Sequence, residues 1–548
     1  MEGQDPPPSL PGPGLADTGD PGAEVTDRVE NSLRAVGRGS VISLVGSVAQ
    51  ILLTAFAYII AVRILSVPSW GEFTLGVSVT GLLSTMGLLG MGQAMARSLA
   101  YEQDPAERRA IIRWGLGVAI VAAFALSFAV WALSPWMARG FHNTALVPVF
   151  QLMSITVGFS ILSIAISGIF QGFKDVLPNA ILRNGLNAGL FLIFLIALVG
   201  FDIGLLAVMV AYVAAGAVSL LALVGYALRK LPRQVNHDGV PRRRPKRSLW
   251  HFTLAFWGSN NLLYITAYAD TLILGVFWPS SEVGYYSAAM TLARILLFGT
   301  LALAFIFLPV AAGLMRDGDP DTIRTTYLTS TRWVLVVTVP FFLLFAFAPK
   351  TSMEFVWGHR YIAGAPALQI LVITSFFSTV VGPVQSCLGG LGKAKVMAWN
   401  AGASAAANIS LSLLLIPSLG LLGAAIAWGV ARALLPLLGL RALWTSHRIT
   451  SFRRSLLVPL GITLAIGGPV VVFATMMVRT PWVVVPLFFF GAGLYILVVL
   501  LTRSLSRADL VILAGVERVL GRPLPELRSF LLRFVREPSP RALPSTGS

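Results

Sequence analysis

Long apolar stretches recur along most of this chain, and they constrain its fold more than any other feature. From Gly39 onward, fourteen stretches are each about 20 residues or longer, the length that an α-helix needs to cross a bilayer. The sequence therefore predicts an all-α polytopic membrane protein with about fourteen transmembrane helices. The predicted spans are 41–62, 73–96, 114–134, 147–172, 178–200, 204–228, 251–276, 284–311, 330–349, 362–388, 396–416, 420–444, 455–478 and 483–502.

The composition excludes a soluble multidomain enzyme. Of the 548 residues, 56% are hydrophobic and only 12% are charged, against about 25% charged in ordinary soluble domains. The single cysteine, Cys387, excludes an intramolecular disulfide and a cysteine metal cluster. The chain has neither HExxH nor GxxxxGK[ST], so we expect no catalytic role, no metal and no bound cofactor. Coupling of transport to H⁺ or Na⁺ is left open.

The basic residues predict the orientation in the membrane. With an even helix count both termini lie on one side. If that side is cytoplasmic, 33 of the 41 lysines and arginines lie in inside loops and tails, five in outside loops and three within spans. This asymmetry follows the positive-inside rule. It predicts a multi-pass protein of the cell membrane with cytoplasmic termini, and it accounts for the net charge of +17 without nucleic acid.

An internal repeat relates the two halves of the chain. The sequence Gly-Glu-Phe from Gly71 and the sequence Gly-Tyr-Tyr from Gly284 open the second and eighth spans, 213 residues apart. Gly204-Leu-Leu and Gly420-Leu-Leu open the sixth and twelfth spans, 216 residues apart. Because each half has six helices, both halves enter the membrane from the same side. The repeat predicts two parallel six-helix bundles about a pseudo-two-fold axis along the membrane normal, plus two extra C-terminal helices.

Composition also predicts the boundaries between the structural units of the chain. The C-terminal tail is amphipathic and could lie on the membrane surface or pack against the protein's own loops. The predicted units are a disordered cytoplasmic tail 1–38, an N-terminal bundle 39–230, a basic cytoplasmic linker 231–249, a C-terminal bundle 250–445, helices 13 and 14 in 446–503, and a cytoplasmic amphipathic tail 504–548.

Ionisable residues inside the spans are the candidate site. Arg183, Asp270, Arg294 and Arg432 lie within predicted helices, where such residues are functional candidates by default. The planar donor fork of arginine suits phosphate, so the cationic excess favours an anionic head group such as a lipid pyrophosphate. Two alternatives stay open: Asp270 could pair with Arg294 as a structural ion pair, and Arg183 could extend to the inner interface. Arg432 has no evident partner and is the best single candidate.

Neutral polar residues add weaker candidates. The adjacent amides Asn260 and Asn261, early in the seventh span, point to different helix faces and could contact sugars. Asn408-Ile-Ser410 matches a glycosylation acceptor, but it lies inside the eleventh span and we expect it to be inaccessible to that modification.

Several segments resemble one family of transporters. The sequence RILSVPSWGEF (63–73) resembles the turn between helices 1 and 2 of the Wzx-type polysaccharide-lipid flippases. ADTLILG (269–275) followed by VGYY (283–286) is similar to their helix 7–8 segment, and GIFQG (168–172) before Lys174 resembles the end of helix 4. These flippases are a branch of the multidrug/oligosaccharidyl-lipid/polysaccharide exporter superfamily. Ser66 and Trp70 depart from the usual Gly and the frequent Tyr of the first motif.

The resemblance implies a function. The family moves a polyprenyl- or dolichyl-(pyro)phosphate-linked oligosaccharide from the cytoplasmic to the outer leaflet by alternating access. The resemblance also implies lipid-linked oligosaccharide and membrane lipids as partners, together with glycan polymerase or ligase machinery. Asp270 matches a family position, whereas the two candidates Arg294 and Arg432 come from intramembrane placement alone.

Three other functions compete with that of a polysaccharide-lipid flippase. A lipid II flippase of cell-wall synthesis shares the fourteen-helix plan. A multidrug exporter for cations needs embedded carboxylates, and Asp270 is outnumbered by arginines. A glycan polymerase or ligase needs a large external loop, whereas the longest outside loops predicted here are only 135–146 and 350–361.

Overall fold

The computed structural model describes residues 46–88, 90–201, 204–235, 265–296, 320–391, 393–447, 452–505, 509 and 533–534. Within these ranges the regular structure consists of helices, with no β-strand. This confirms the all-α prediction. The predicted tail 1–38 lies outside the described residues, as do most of the linker 231–249 and most of the tail 504–548.

Twelve helices of the described ranges are long and apolar enough to cross a membrane. The other two predicted spans are described in part, as α7, Ile265–Phe277, and α8, residues 280–296. The twelve are α1 Gly46–Ile64, α2 Val67–Tyr101, α3 Pro105–Gly140, α4 Leu146–Gly172, α5 Pro178–Val199, α6 Leu205–Leu231, α9 Tyr327–Phe347, α10 His359–Val381, α11 Lys395–Leu419, α12 Leu421–Thr445, α13 Arg454–Met477 and α14 Pro481–Leu501.

Local sequence explains where the early helices begin. The hydroxyl of Ser66 accepts a hydrogen bond from the backbone N–H of Ser69 at 3.3 Å and caps α2. The carboxylate of Asp104 accepts from the N–H of Ala106 at 2.9 Å and caps α3. Both are standard N-cap residues, and a proline follows each of them within the first turn. The departure from the family pattern at Ser66 therefore supplies a helix cap.

The described helices pack as a repeat of the two halves requires. In the first half α3 packs on α4, α5 on α6, and α4 on α6. The equivalent pairs of the second half also pack: α9 on α10, α11 on α12, and α10 on α12. The two extra helices, α13 and α14, pack on α9 and on each other.

Backbone conformation also follows the repeat. Gly204 has φ +59° and Gly420, 216 residues later, has φ +57°. His142 and Gly358 are separated by the same interval and have φ +52° and φ +96°. Equivalent loops of the two halves therefore each contain a residue with positive φ at the equivalent position. This agreement supports the two-bundle architecture.

The two halves touch where α2 and α8 begin. A Cβ placed on Gly71 would lie 1.7 Å from the carbonyl oxygen of Ser280, and one on Gly284 would lie 2.3 Å from that of Val67. Both glycines are thus required by the close approach of the two helices. We call the surface formed by Gly71, Gly284, Thr74 and Ser287 the glycine contact. It lies on the face that the sequence predicts to be external.

Polar side chains join the halves at the same face. Arg63, at the end of α1, donates to the carbonyl oxygens of Phe355 at 2.7 Å and Val356 at 3.1 Å. These carbonyls lie near the end of the short helix Pro349–Trp357 in the second half. Asn143 donates to the hydroxyl of Ser280 at 3.0 Å.

Candidate functional site

A cavity of about 390 Å³ lies within the second half, between α7, α8, α11 and α12. It brings together the two arginines that sequence placement selected, Arg294 and Arg432. The other lining residues are Thr266, Ala267, Tyr268, Ser404, Asn408, Trp428, Ala431 and Leu435.

The two arginines are not neutralised by direct contacts. Across the described ranges, Arg294 has neither a hydrogen bond nor an ion pair, and its side chain is exposed. Arg432 is half-buried, and its Nε atom is buried without a hydrogen-bond partner. Since both arginines line the same cavity, their like charges repel each other there. An anion between them would relieve this repulsion and supply acceptors to both.

Asp270 is bonded elsewhere. Its carboxylate accepts hydrogen bonds from the Tyr286 hydroxyl and from the backbone N–H of Thr271, the latter at 2.9 Å. In the part of the chain that the structure describes, no direct ion pair joins it to Arg294. The structural ion pair between these two described residues is therefore not formed. Asp270 is buried behind the cavity and is not among its lining residues.

The remaining sequence candidates lie apart from the cavity. Arg183 lies in the π-helical start of α5, Pro178–Leu186, and donates to the amide oxygen of Asn179 at 3.0 Å. It does not line the cavity. Asn260 and Asn261 lie outside the described residues.

Sequence reasoning missed several neutral lining residues. Ser404 and Asn408 are four residues apart and so share one face of α11. Tyr268 and Trp428 add aromatic surface. The four-residue spacing of Ser404 and Asn408 is visible in the sequence and could have indicated a polar face, but on sequence alone Asn408 was considered only as a glycosylation acceptor. The resulting site combines two cations, neutral hydrogen-bonding groups and aromatic rings. No carboxylate is found among the described lining residues.

The chain matches a known family model over more than half of its length. The model for "Polysaccharide biosynthesis protein" covers residues 36–314. The chain therefore belongs to this polysaccharide biosynthesis family, in agreement with the motif resemblance.

A curated relative comes from an archaeon. Over 194 residues the chain is 25% identical to the "Probable low-salt glycan biosynthesis flippase Agl15" of Haloferax volcanii, which is 35% of this chain and 41% of the relative. The chain spans about two fifths of the length of the curated relatives it matches.

Solved structures share the fold. "Lipid II flippase MurJ, inward closed conformation" superposes with a TM-score of 0.66 at 12% identity, over 84% of this chain and 98% of that one. An inward-facing multidrug resistance MATE family transporter of the MOP superfamily gives a TM-score of 0.58 at 16% identity, over 75% and 98% of the two chains. At such identities the likeness shows the fold alone. It confirms the all-α, many-helix fold that the sequence predicts.

Proposed function

We propose that this protein is a flippase for a lipid-linked oligosaccharide. It moves a polyprenyl- or dolichyl-(pyro)phosphate-linked glycan from the cytoplasmic to the outer leaflet of the cell membrane, for surface polysaccharide or glycoprotein synthesis. The observation that carries this proposal is the pair Arg294 and Arg432 in one cavity, with no carboxylate among the lining residues that the structure describes. Such a cavity matches the charge of a diphosphate and repels cationic drugs.

The glycine contact supports alternating access. It brings the two halves together at the predicted outer face, while the cavity lies deeper within the second half. In the proposed cycle the substrate head group enters from the cytoplasmic side, where both termini lie. Separation of α2 from α8 then opens the outer face. Glycan polymerase or ligase machinery would take the substrate released there.

The decisive experiment is equilibrium binding of undecaprenyl diphosphate to the full-length protein in lipid nanodiscs. Arg432→Ala and Arg294→Ala are each expected to weaken binding by about tenfold or more, because each removes charge-assisted hydrogen bonds to the diphosphate. Arg479→Ala is the matched control, since Arg479 is exposed and does not line the cavity. Unchanged binding in both cavity variants would refute the assignment.

A cellular measurement separates the related functions. Deletion of the gene should cause a lipid-linked oligosaccharide to accumulate inside the cell, and the Arg432→Ala protein at normal levels should not restore the surface glycan. Accumulation of a lipid-linked muropeptide precursor would instead identify a lipid II flippase. Altered drug sensitivity with normal glycans would identify an exporter.

A further inference from the structure

A buried amide in the cavity lacks the partners that such a group normally has. Asn408 on α11 is 1% exposed. Among the residues that the structure describes, neither its amide oxygen nor its amide nitrogen has a hydrogen-bond partner. Its side chain nevertheless lines the cavity. Because buried amides are normally hydrogen-bonded, Asn408 fits a ligand that both donates and accepts.

The packing of α11 on α12 sets the height of Asn408 relative to the arginines. The hydroxyl of Ser404 donates to the carbonyl oxygen of Ala431 at 2.8 Å, which places Ser404 at the level of Arg432. The two helices are consecutive and antiparallel. One turn onward along α11 leads to Asn408, and one turn back along α12 leads to Trp428. Asn408 and Trp428 are therefore level with each other, about 6 Å from the level of Arg432.

We infer that Asn408 and Trp428 form a subsite for the first sugar of the lipid-linked glycan, the sugar bonded directly to the diphosphate. The inference rests on the proposed function, because Arg294 and Arg432 must hold that diphosphate. The centre of a diphosphate and the centre of a sugar ring bonded to it are about 5 Å apart, close to this separation along the helices. The amide oxygen of Asn408 accepts from one sugar hydroxyl, its amide nitrogen donates to a second oxygen, and the indole face of Trp428 packs against the C–H face of the ring.

The same observations disfavour a cation at Asn408. A metal ion would also use the amide oxygen, but both lining arginines repel it and no lining carboxylate is described that could attract it. The volume of about 390 Å³ lies near the lower end of the range for small-molecule pockets, about 300–1,000 Å³. It admits a head group with one sugar ring. The remainder of an oligosaccharide would lie outside the cavity.

The test compares glycosylated and bare lipids on the full-length protein in nanodiscs. The probes are undecaprenyl diphosphate, alone and carrying glucose, galactose, mannose or N-acetylglucosamine. Wild type is expected to bind at least one glycosylated probe about tenfold more tightly than the bare lipid. Asn408→Ala should remove that advantage, weakening the binding of the glycosylated probe much more than that of the bare lipid. Its thermal stability should stay close to that of wild type, since none of the described residues hydrogen-bonds to the Asn408 side chain.

Asn400→Ala is the matched control. Asn400 is the same residue type on the same helix, is buried, and also has an unpartnered amide nitrogen, but it does not line the cavity. It should retain the full preference for sugar. The sugar subsite is refuted if no attached sugar tightens binding, if Asn408→Ala weakens bare and glycosylated lipid equally, or if Asn400→Ala acts like Asn408→Ala. Failure of wild type to bind even the bare lipid would refute the proposed function itself.

Discussion

Thr74 and Ser287 occupy equivalent positions in the two halves and contact each other. They lie 213 residues apart, the same interval that separates Gly71 from Gly284, and the Thr74 hydroxyl is 3.3 Å from the Ser287 hydroxyl. The pseudo-two-fold axis therefore passes close to this pair. Since α2 and α8 belong to different bundles, the distance between these residues reports whether the bundles are together at this face.

A disulfide at this pair should stop transport. With Cys387→Ser removing the native thiol, Thr74→Cys and Ser287→Cys together are expected to cross-link, because side chains whose hydroxyls lie 3.3 Å apart bring two thiols close to each other. Glycan flipping in proteoliposomes should be lost on oxidation and restored by reductant. The two single-cysteine proteins serve as controls. Full transport by the cross-linked protein would refute a cycle that separates α2 from α8.

Arg63→Ala should favour separation of the halves. The guanidinium donates to carbonyls near the negative end of a short helix, at 2.7 and 3.1 Å. Because Arg63 is exposed, we expect its contribution to be about 1 kcal/mol, which corresponds to about a fivefold change in the open-to-closed ratio. The rate of Thr74→Cys/Ser287→Cys cross-linking should fall accordingly. Arg139→Ala is the control, since Arg139 is also exposed and lies over Trp136 of its own helix.

Gly71→Ala should disrupt the glycine contact. Its Cβ would approach the backbone oxygen of Ser280 to 1.7 Å, so α2 must move away from α8. Such overpacking costs about 1–3 kcal/mol. The thermal midpoint in detergent should fall, and the cross-linking rate should fall with it. At Gly117 on α3, an added Cβ would meet no atom within 4 Å. Gly117→Ala should therefore leave both measurements unchanged or raise the midpoint, and equal effects of the two substitutions would contradict the argument.

A buried ion pair attaches the segment after α14 to α9. The guanidinium of Arg332 donates to the carboxylate of Asp509, which also accepts from the indole N–H of Trp333 at 3.1 Å. Arg332→Ala leaves that carboxylate without its cation and should lower the free energy of unfolding by about 3–5 kcal/mol. The double variant Arg332→Met/Asp509→Leu removes both charges and should be considerably more stable than Arg332→Ala. Thermal unfolding in detergent measures both, and a double variant no more stable than Arg332→Ala would contradict the argument.

Sequence placement identified the charged part of the site but not its neutral part. Arg294 and Arg432 were visible because a charge inside an apolar span is unusual. Asn408 was not selected, since an isolated amide in a span is usually a helix–helix hydrogen bond. Its lack of partners is a property of packing. The hydrogen bond from Tyr286 to Asp270 likewise depends on how α7 meets α8, and sequence spacing left the alternative partner Arg294 open.

The repeat predicted the two-bundle fold, but not that repeat-related residues would touch. The interval of 213 identified Gly71 and Gly284 as equivalent. Their role became clear only from the carbonyl oxygens against which each packs. A sequence repeat specifies symmetry, whereas contact across the axis depends on how closely the bundles approach.

Tyr268 connects the cavity with the opposite bundle. Its ring lines the cavity in the second half, and its hydroxyl lies 2.7 Å from where a Cβ on Gly81 of α2 would be. A ligand that moves this ring therefore also changes the fit between α7 and α2. Thermodynamic linkage makes the effect reciprocal. If a bound head group changes the equilibrium between two spacings of the bundles by some factor, the change from one spacing to the other alters the head-group affinity by the same factor. The ratio of the head-group affinities of the Thr74→Cys/Ser287→Cys protein with and without the cross-link would give this coupling free energy.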